Sequence, residues 1–393
     1  MLRIKRFANT DPINTTYKYE KSIMTLALVT GTRPEIIKLY PVMKILDRRR
    51  IDYKFIYTGQ HYDYNLSVKF IEEFNIRRPD YNISLATSLT PLEQVSQIMV
   101  RLCNIFQQFT PSLVIVQGDT NSVLAGALAA VKSSIPIAHV EAGLRSDNWK
   151  MPEEHNRRIV DHISDVLFAP TLDAERNLKE EHVHGDIYVV GNTVIDAIRL
   201  GMQPDGVKTG SVQFIKMMKS DETFDNDFVL VTLHRPDNVD NPEFLKEVLS
   251  ALSASGHKYI FPMHPRTVKH IHEFGLEKLI SSSIKVIEPT GYFDFLNLLK
   301  MCKFVITDSG GIQEEVCSPL INKCALVVHT STERPESVRS GHTILCNAYT
   351  QQKILEGIKK IQEQKRPEHN VCPYGSGYAG EKIIETLENR FFI

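Results

Sequence analysis

The sequence predicts an α/β protein made of two doubly wound domains in series. Three observations lead there. Short apolar runs alternate with segments of helical spacing along nearly the whole chain. The runs are apolar throughout rather than at every second residue, the mark of strands buried on both faces of a parallel sheet. The length, 393 residues, is more than one hydrophobic core usually serves. The first series of runs covers residues 23–29, 53–58, 113–117, 135–140, 166–170 and 187–191. A second series covers 228–233, 258–263, 284–289, 303–308 and 325–329. Between them, residues 193–202 have helical spacing and a polar connection follows. The expected domains are therefore 23–195 and 196–375, with a terminal helix in 376–393 packing back on the first domain. Residues 1–22 carry basic side chains but no apolar core of a secretory signal, so they are read as a disordered extension, with Met24 as an alternative start.

Composition narrows the function. Lys plus Arg number 46 against 47 Asp plus Glu, a formal net charge of −1. Nucleic acid or an anionic membrane as partner calls for a basic excess or stripe, and neither is present. No run approaches the ~18–20 apolar residues of a spanning helix. With 24% charged and 42% hydrophobic residues, the expectation is a cytoplasmic globular protein. The six cysteines form no C-x-x-C pair, and His264, His270 and His272 lack acidic or cysteine partners at ligand spacing. No metal site and no cofactor are expected.

In doubly wound sheets, ligands bind outside the carboxyl ends of the strands. The first run leads into GTRPEIIK, a tight turn opening a helix. Backbone N–H groups, the helix dipole and Arg33 converge there, which suits a phosphate or carboxylate, while a turn with a solvated arginine is the plainer alternative. Run 113–117 leads into GDTNS and run 135–140 into EAGLRS, joined by a helix in 122–133. The right-handed crossover puts both strands in one sheet, so Asp119 and Glu141 project from the same edge. A third acidic cluster follows in PEEHNRR. Grouped carboxylates in one cleft suit proton transfer, because proximity and burial push their pKa values apart. The alternative is that Asp119 caps the next helix and Glu141 pairs with Arg145 or Arg157. In the second half, Ser309, Gly310 and Gly311 open a helix whose free N–H groups can hold a diphosphate. Glu315 lies about one turn further, within reach of a ribose diol, and His234 and Arg235 follow run 228–233, where they suit a pyrophosphate leaving group.

The motifs GTRPEIIK, GQHYDYN, QGDTNS, HVEAGLRS, MPEEHNRR, GNTVID, TLHRPDN, DSGGIQEE and TERPE, in this order and spacing, make the chain resemble the non-hydrolysing UDP-N-acetylglucosamine 2-epimerases from Thr25 to the terminal helix. The resemblance implies a glycosyltransferase-B-like pair of Rossmann-like domains with the active site in the interdomain cleft. It implies reversible epimerisation of UDP-GlcNAc to UDP-ManNAc at C2, by elimination and re-addition of UDP through 2-acetamidoglucal, in a homodimer. Asp119, Glu141 and Glu153 match the family's acid/base carboxylates and His234 its essential histidine. Arg33 matches the phosphate-site arginine, Ser309, Gly310 and Glu315 the diphosphate and ribose contacts, and Lys38, Arg235 and Gly311 complete the substrate-binding set. Gln60 and His61 match positions that in some bacterial relatives touch a second, activating substrate molecule, and a turn role explains them equally well. The chain departs from the pattern in residues 316–331, which look longer than the family's segment, and in PYGSG for the usual PYGDG. The rival readings are a UDP-sugar-dependent glycosyltransferase, a hydrolysing epimerase, a catalytically dead nucleotide-sugar sensor, against which Asp119, Glu141, Glu153 and His234 speak, and a 2-epimerase of a modified UDP-2-acetamido sugar.

Overall fold

Each half of the chain builds one parallel sheet, and in each the strand order reverses beside the first strand. The computed structural model describes residues 24–59, 71, 73–85, 89–202, 227–329, 331–346, 349–364 and 372–391. Among these, the first sheet has the order β3-β2-β1-β4-β5-β6-β7. Its strands are β1 (Leu26–Thr30), β2 (Tyr53–Tyr57), β3 (Tyr81–Asn82), β4 (Leu113–Gln117), β5 (Ile137–Val140), β6 (Val166–Ala169) and β7 (Asp186–Val189). The connecting helices are α1 (Arg33–Arg49), α2 (Pro91–Phe109), α3 (Asn121–Lys132), α4 (Pro152–Ile163), α5 (Leu172–Glu180) and α6 (Thr193–Gly201). The residues of β1, β4, β5 and β6 are buried without exception, as continuous apolar runs require of central strands covered by helices on both faces.

The second sheet has the order β10-β9-β8-β11-β12-β13. It consists of β8 (Phe228–Thr232), β9 (Lys258–Pro262), β10 (Ile284–Ile287), β11 (Val305–Thr307), β12 (Ala325–Val327) and β13 (Thr343–Leu345). Helices α7 (Pro236–Val239), α8 (Pro242–Ala254), α9 (Pro265–Glu273), α10 (Tyr292–Met301), α11 (Gly310–Glu315), α12 (Pro335–Arg339), α13 (Gln351–Glu363) and α14 (Ala379–Phe391) complete the described chain. Two strands were not foreseen. At two and three residues, β3 and β13 are too short for a hydrophobic pattern to register. The boundary expected at 195/196 falls within α6. The connection 203–226, the extension 1–22, and Gln60 and His61 lie outside the described residues.

The two reversals place the β1/β4 and β8/β11 junctions as the crevices where a doubly wound sheet takes its ligand. One hydrophobic cluster runs from the first sheet into the second domain, taking in Leu26, Leu28, Phe55 and Phe74 and then Tyr292, Phe293 and Leu296. At the crossing, the Phe74 ring lies 4.9 Å from Tyr40, 5.5 Å from Tyr292 and 4.5 Å from Phe293. Burying side chains of this size stabilises by about 1.5–3 kcal/mol each. The same face also carries a polar link: Glu73 accepts a hydrogen bond from the Phe293 N–H at 3.0 Å, at the start of α10. No described helix is long and apolar enough to cross a membrane.

The terminal helix returns to the first domain. Asp196, fully buried in α6, accepts hydrogen bonds from the N–H groups of Ala379 (3.1 Å) and Gly380 (2.8 Å) with its two carboxylate oxygens. First-turn amides have no partner inside their own helix, so this carboxylate acts as their cap from another helix. Along the outer side, Arg49 pairs with Glu385 at 3.4 Å and also with Glu388. Replacing Asp196 with Ala leaves two buried donors unsatisfied and is expected to cost about 1–3 kcal/mol. Thermal unfolding should show a lower midpoint for Asp196→Ala, and an unchanged midpoint would show that α14 is held by other contacts.

Candidate active site

The turn after β1 is shaped by close approach. A Cβ on Gly31 would sit 1.9 Å from the Ser122 hydroxyl and 2.6 Å from that of Thr58, so only glycine fits where the chain ends of β1, β2 and β4 converge. Glu35, the acid of GTRPE, folds back into this turn. Its carboxylate accepts from the Gly31 N–H (2.7 Å), the Thr32 hydroxyl (2.7 Å) and the Thr120 hydroxyl (2.8 Å). Burial, with Asp119 close by, pushes its pKa up to about 7 despite these donors. Arg33 is half-buried at the start of α1. Burial draws its pKa down, against the pull of Glu73 and Tyr57.

Asp119 and Glu141 follow the adjacent strands β4 and β5, and each has a guanidinium partner. Asp119 is bound by Arg157 through Nε and Nη2, both at 2.8 Å. Arg157 in turn binds Glu154 at 2.8 Å. Asp119 does not cap α3; the Thr120 hydroxyl does, accepting from the Val123 N–H. Glu141 pairs with neither Arg145 nor Arg157 but with Lys38 and, at 3.2 Å, with Arg334. Arg145 serves Asp161 and Glu181 instead. Of the two acids in PEE, Glu153 is exposed on the first turn of α4. Glu154 is fully buried and accepts from Ser146 and from Arg157 and Arg158.

In the second domain, Asp308 organises the turn after β8. Its buried carboxylate accepts from the backbone N–H of His234 (3.1 Å) and Arg235 (2.9 Å) and from the Asn238 amide (3.1 Å). This leaves the His234 ring exposed, with Nδ1 3.6 Å from Asp308. Ser309 precedes α11, and Gly310 and Gly311 begin it. Glu315 ends that short helix, only 6% exposed. Burial, with Glu314 next to it, pushes its pKa up to about 8. Its Oε2 has no hydrogen-bond partner, although the Tyr292 hydroxyl lies beside the carboxyl.

The two domains meet on buried charges. Lys38 of α1 binds Glu141 and, at 2.9 Å, Glu314 of α11. Arg334 binds Glu314 at 2.8 Å, Glu333 at 2.7 Å and Glu141 at 3.2 Å. Glu333 also binds Arg235 at 3.2 Å. Gln117 adds a hydrogen bond to Glu141 at 3.1 Å. The environments separate the acids. Burial, with the Glu314 charge close by, keeps Glu141 above the usual carboxylate range even beside Lys38 and Arg334. Burial opposes ionisation of Glu314 too, but there the two cations prevail and lower it. For Glu333 the guanidinium groups of Arg334, Arg235 and Arg157 outweigh burial and hold the pKa down at about 2. Lys38 is raised, its two carboxylates together overcoming the desolvation that would lower it. One contact further out, Thr171 at the start of α5 donates to Glu336 of α12 at 2.5 Å.

Of the residues picked from the sequence, Lys38, Glu141 and Arg235 are thus joined in one network, while Asp119 stands beside it on Arg157. Glu153 and the His234 ring stay exposed. Arg334, Glu314 and Glu333, the pivots of the network, were not picked, nor were Glu35 and Asp308. Each sits inside a motif that was noticed, TERPE, DSGGIQEE or GTRPE. A preference for buried charge within such motifs is the signal that would have found them. Among the described residues, no group of three or more His, Cys, Asp or Glu side chains is placed to hold a metal ion.

The model of the family described as UDP-N-acetylglucosamine 2-epimerase matches residues 44–388. The Methanocaldococcus jannaschii UDP-N-acetylglucosamine 2-epimerase is 41% identical over 380 residues, covering 93% of this chain and 99% of that protein. A crystal structure of the M. jannaschii UDP-GlcNAc 2-epimerase in complex with UDP-GlcNAc and UDP aligns with a TM-score of 0.80 at 39% identity, over 93% of this chain and 100% of the other. A Medicago truncatula protein in complex with UDP-glucose, only 10% identical, shares the glycosyltransferase-B-like fold at a TM-score of 0.61, over 93% of this chain and 98% of its own. The chain belongs to the UDP-N-acetylglucosamine 2-epimerase family of isomerases.

Proposed function

We propose that the chain interconverts UDP-GlcNAc and UDP-ManNAc by eliminating UDP to 2-acetamidoglucal and adding it back with inversion at C2. The observation that carries this reading is the placement of Glu141. Its buried carboxyl, kept above the usual range, follows the strand next to that of Asp119 and connects through Arg334 and Glu333 to Arg235 of the second domain. A carboxylate of raised pKa is a stronger base for a carbon-bound proton, and cations lined up behind it suit a leaving pyrophosphate.

In the forward direction a carboxylate takes the C2 proton. The C–H pair becomes the C1=C2 bond, and the C1–O bond breaks with its electrons going to the β-phosphate of UDP. The C2 proton is not acidic, so departure of UDP leads and the transition state has oxocarbenium character. His234 and Arg235 stabilise the departing diphosphate. Re-addition reverses these bonds while a proton reaches C2 on the other face. Asp119, Glu141 and Glu153 form the acid/base set. Glu153 is kept in it on its place in the motif, since Glu154 is tied to Ser146, Arg157 and Arg158. Arg33, Lys38, Ser309, Gly310 and Gly311 serve the diphosphate, and Glu315, with its partnerless oxygen, accepts the ribose hydroxyls.

Purified protein given UDP-GlcNAc and followed by NMR should form UDP-ManNAc with the nucleotide still attached. Free ManNAc with an equal amount of UDP would identify a hydrolysing enzyme instead, and unchanged UDP-GlcNAc would remove the epimerase reading.

The Glu315 assignment carries a pH dependence. With a pKa of about 8 the carboxyl is mostly protonated at neutral pH, while ribose hydroxyls donate best to its ionised form. Nucleotide binding should therefore release a proton, and UDP affinity should rise with pH by up to about tenfold per unit until it levels near the pKa. Calorimetric titration in two buffers of different ionisation enthalpy reads that proton directly. Glu315→Gln should abolish the release and weaken binding, and an unaltered titration would take Glu315 out of the site.

A further inference from the structure

We propose that Glu35, His139 and Asn156 form a buried mount that aims Asp119 at the reacting carbon, with the Thr120 hydroxyl as one of its fixing points. This rests on the reading of Asp119 as an acid/base group. The loop 118–120 leaves β4 with Gly118 at φ 85°, a turn only glycine enters freely, and loops that carry a reacting group are commonly the mobile parts of a sheet edge. Here each of the three residues is held by a different side chain. His139 Nε2 is 2.8 Å from the Gly118 carbonyl, while Nδ1 is 2.7 Å from Asp161, which fixes the ring from behind. Asn156 donates to the Asp119 carbonyl at 2.8 Å. Glu35 accepts from the Thr120 hydroxyl at 2.8 Å.

These three side chains are 2% (Glu35), 1% (His139) and 6% (Asn156) exposed, so each hydrogen bond is made from a buried side chain to a half-buried loop, where water competes less than at an open surface. They also come from three stretches of chain that each carry another candidate residue. Glu35 is two residues beyond Arg33, His139 two before Glu141, and Asn156 three beyond Glu153. The backbone that carries Asp119 cannot shift relative to Arg33, Glu141 or Glu153 without breaking one of these bonds. Burying an ionisable carboxyl such as Glu35 serves folding poorly, because a carboxylate taken out of water costs more than an apolar side chain of similar size. The cost is understandable if the position of Asp119 must be fixed to a fraction of an ångström.

Thr120→Val keeps the side-chain shape and removes the hydroxyl, while Thr120→Ser keeps the hydroxyl. In steady-state assays of the whole protein with UDP-GlcNAc, Thr120→Val should lower kcat by about 10- to 100-fold, the scale expected when a reacting group is displaced. KM and UDP affinity should stay within about twofold, because nothing that binds nucleotide has moved, and Thr120→Ser should restore most of kcat. Added to Asp119→Asn, the Val substitution should lower kcat no further, since no acid/base group remains to be aimed. Glu35→Gln provides the same comparison should Thr120→Val fold poorly. Wild-type kcat in Thr120→Val and Glu35→Gln, or losses that simply multiply with that of Asp119→Asn, would overturn the mount. Asp119→Asn measured alone reports on the underlying reading: wild-type kcat there withdraws the role of Asp119 itself, and the mount with it.

Discussion

The structure depends on a set of charges where the two domains meet: Lys38 and Glu141 from the first and Glu314, Glu333 and Arg334 from the second, all buried, with Arg235 of the second half-buried at their edge. Three cations face three carboxylates, so the set is neutral only when complete. Removing one member of such a buried group leaves a charge without a partner, typically at a cost of 3–5 kcal/mol, whereas the intact set contributes little net stability once desolvation is counted. Its value therefore lies elsewhere. It fixes the register of one domain on the other, and it puts Glu141, a candidate for the chemistry, under the influence of residues from both. Anything that draws Lys38 or Arg334 towards a diphosphate alters the charge around Glu141 at once.

A second regularity connects the domains. In each, a buried carboxylate ties together the loops on either side of the strand-order reversal. In the first it is Glu35, next to β1, which reaches Thr120 after β4. In the second it is Asp308, after β11, which receives the His234 and Arg235 amides after β8. Doubly wound sheets open a crevice at this point because consecutive crossovers leave in opposite directions. A crevice widens unless something bridges it, and loop backbones there have unsatisfied donors. One acid per domain meets both needs, and it leaves the Asp119 side chain, held by Arg157, partly exposed and the His234 ring exposed, at 27% and 45%.

Much of this was legible in the sequence. Fully apolar runs identified the central strands because both of their faces are covered, and the strand ends led to Asp119, Glu141, His234 and Ser309, which do follow β4, β5, β8 and β11. What was not legible has a common cause. Arg334 and Glu314 matter through contacts with residues nearly two hundred or more positions away, and no local pattern encodes which charge a distant charge will meet. The same holds for Glu141, whose pairing with Arg145 or Arg157 was reasonable from proximity in sequence but gave way to Lys38 of α1, distant in sequence, and to Arg334 from the far side of the cleft. The edge strand β3 and the short β13 escaped because two or three residues carry no period.

The central claim is that carboxylates at this junction move the proton at C2. Reaction in D2O tests it most directly, because a carboxylic acid exchanges its proton with solvent between turnovers. The account predicts deuterium at C2 of the UDP-ManNAc formed and of the UDP-GlcNAc recovered, in nucleotide sugars that remain intact. A glycosyltransferase would leave C2 protiated, and hydride transfer to and from a nicotinamide would conserve the original hydrogen. Epimerised product that keeps protium at C2 would contradict the elimination route and the roles given to Asp119, Glu141 and Glu153.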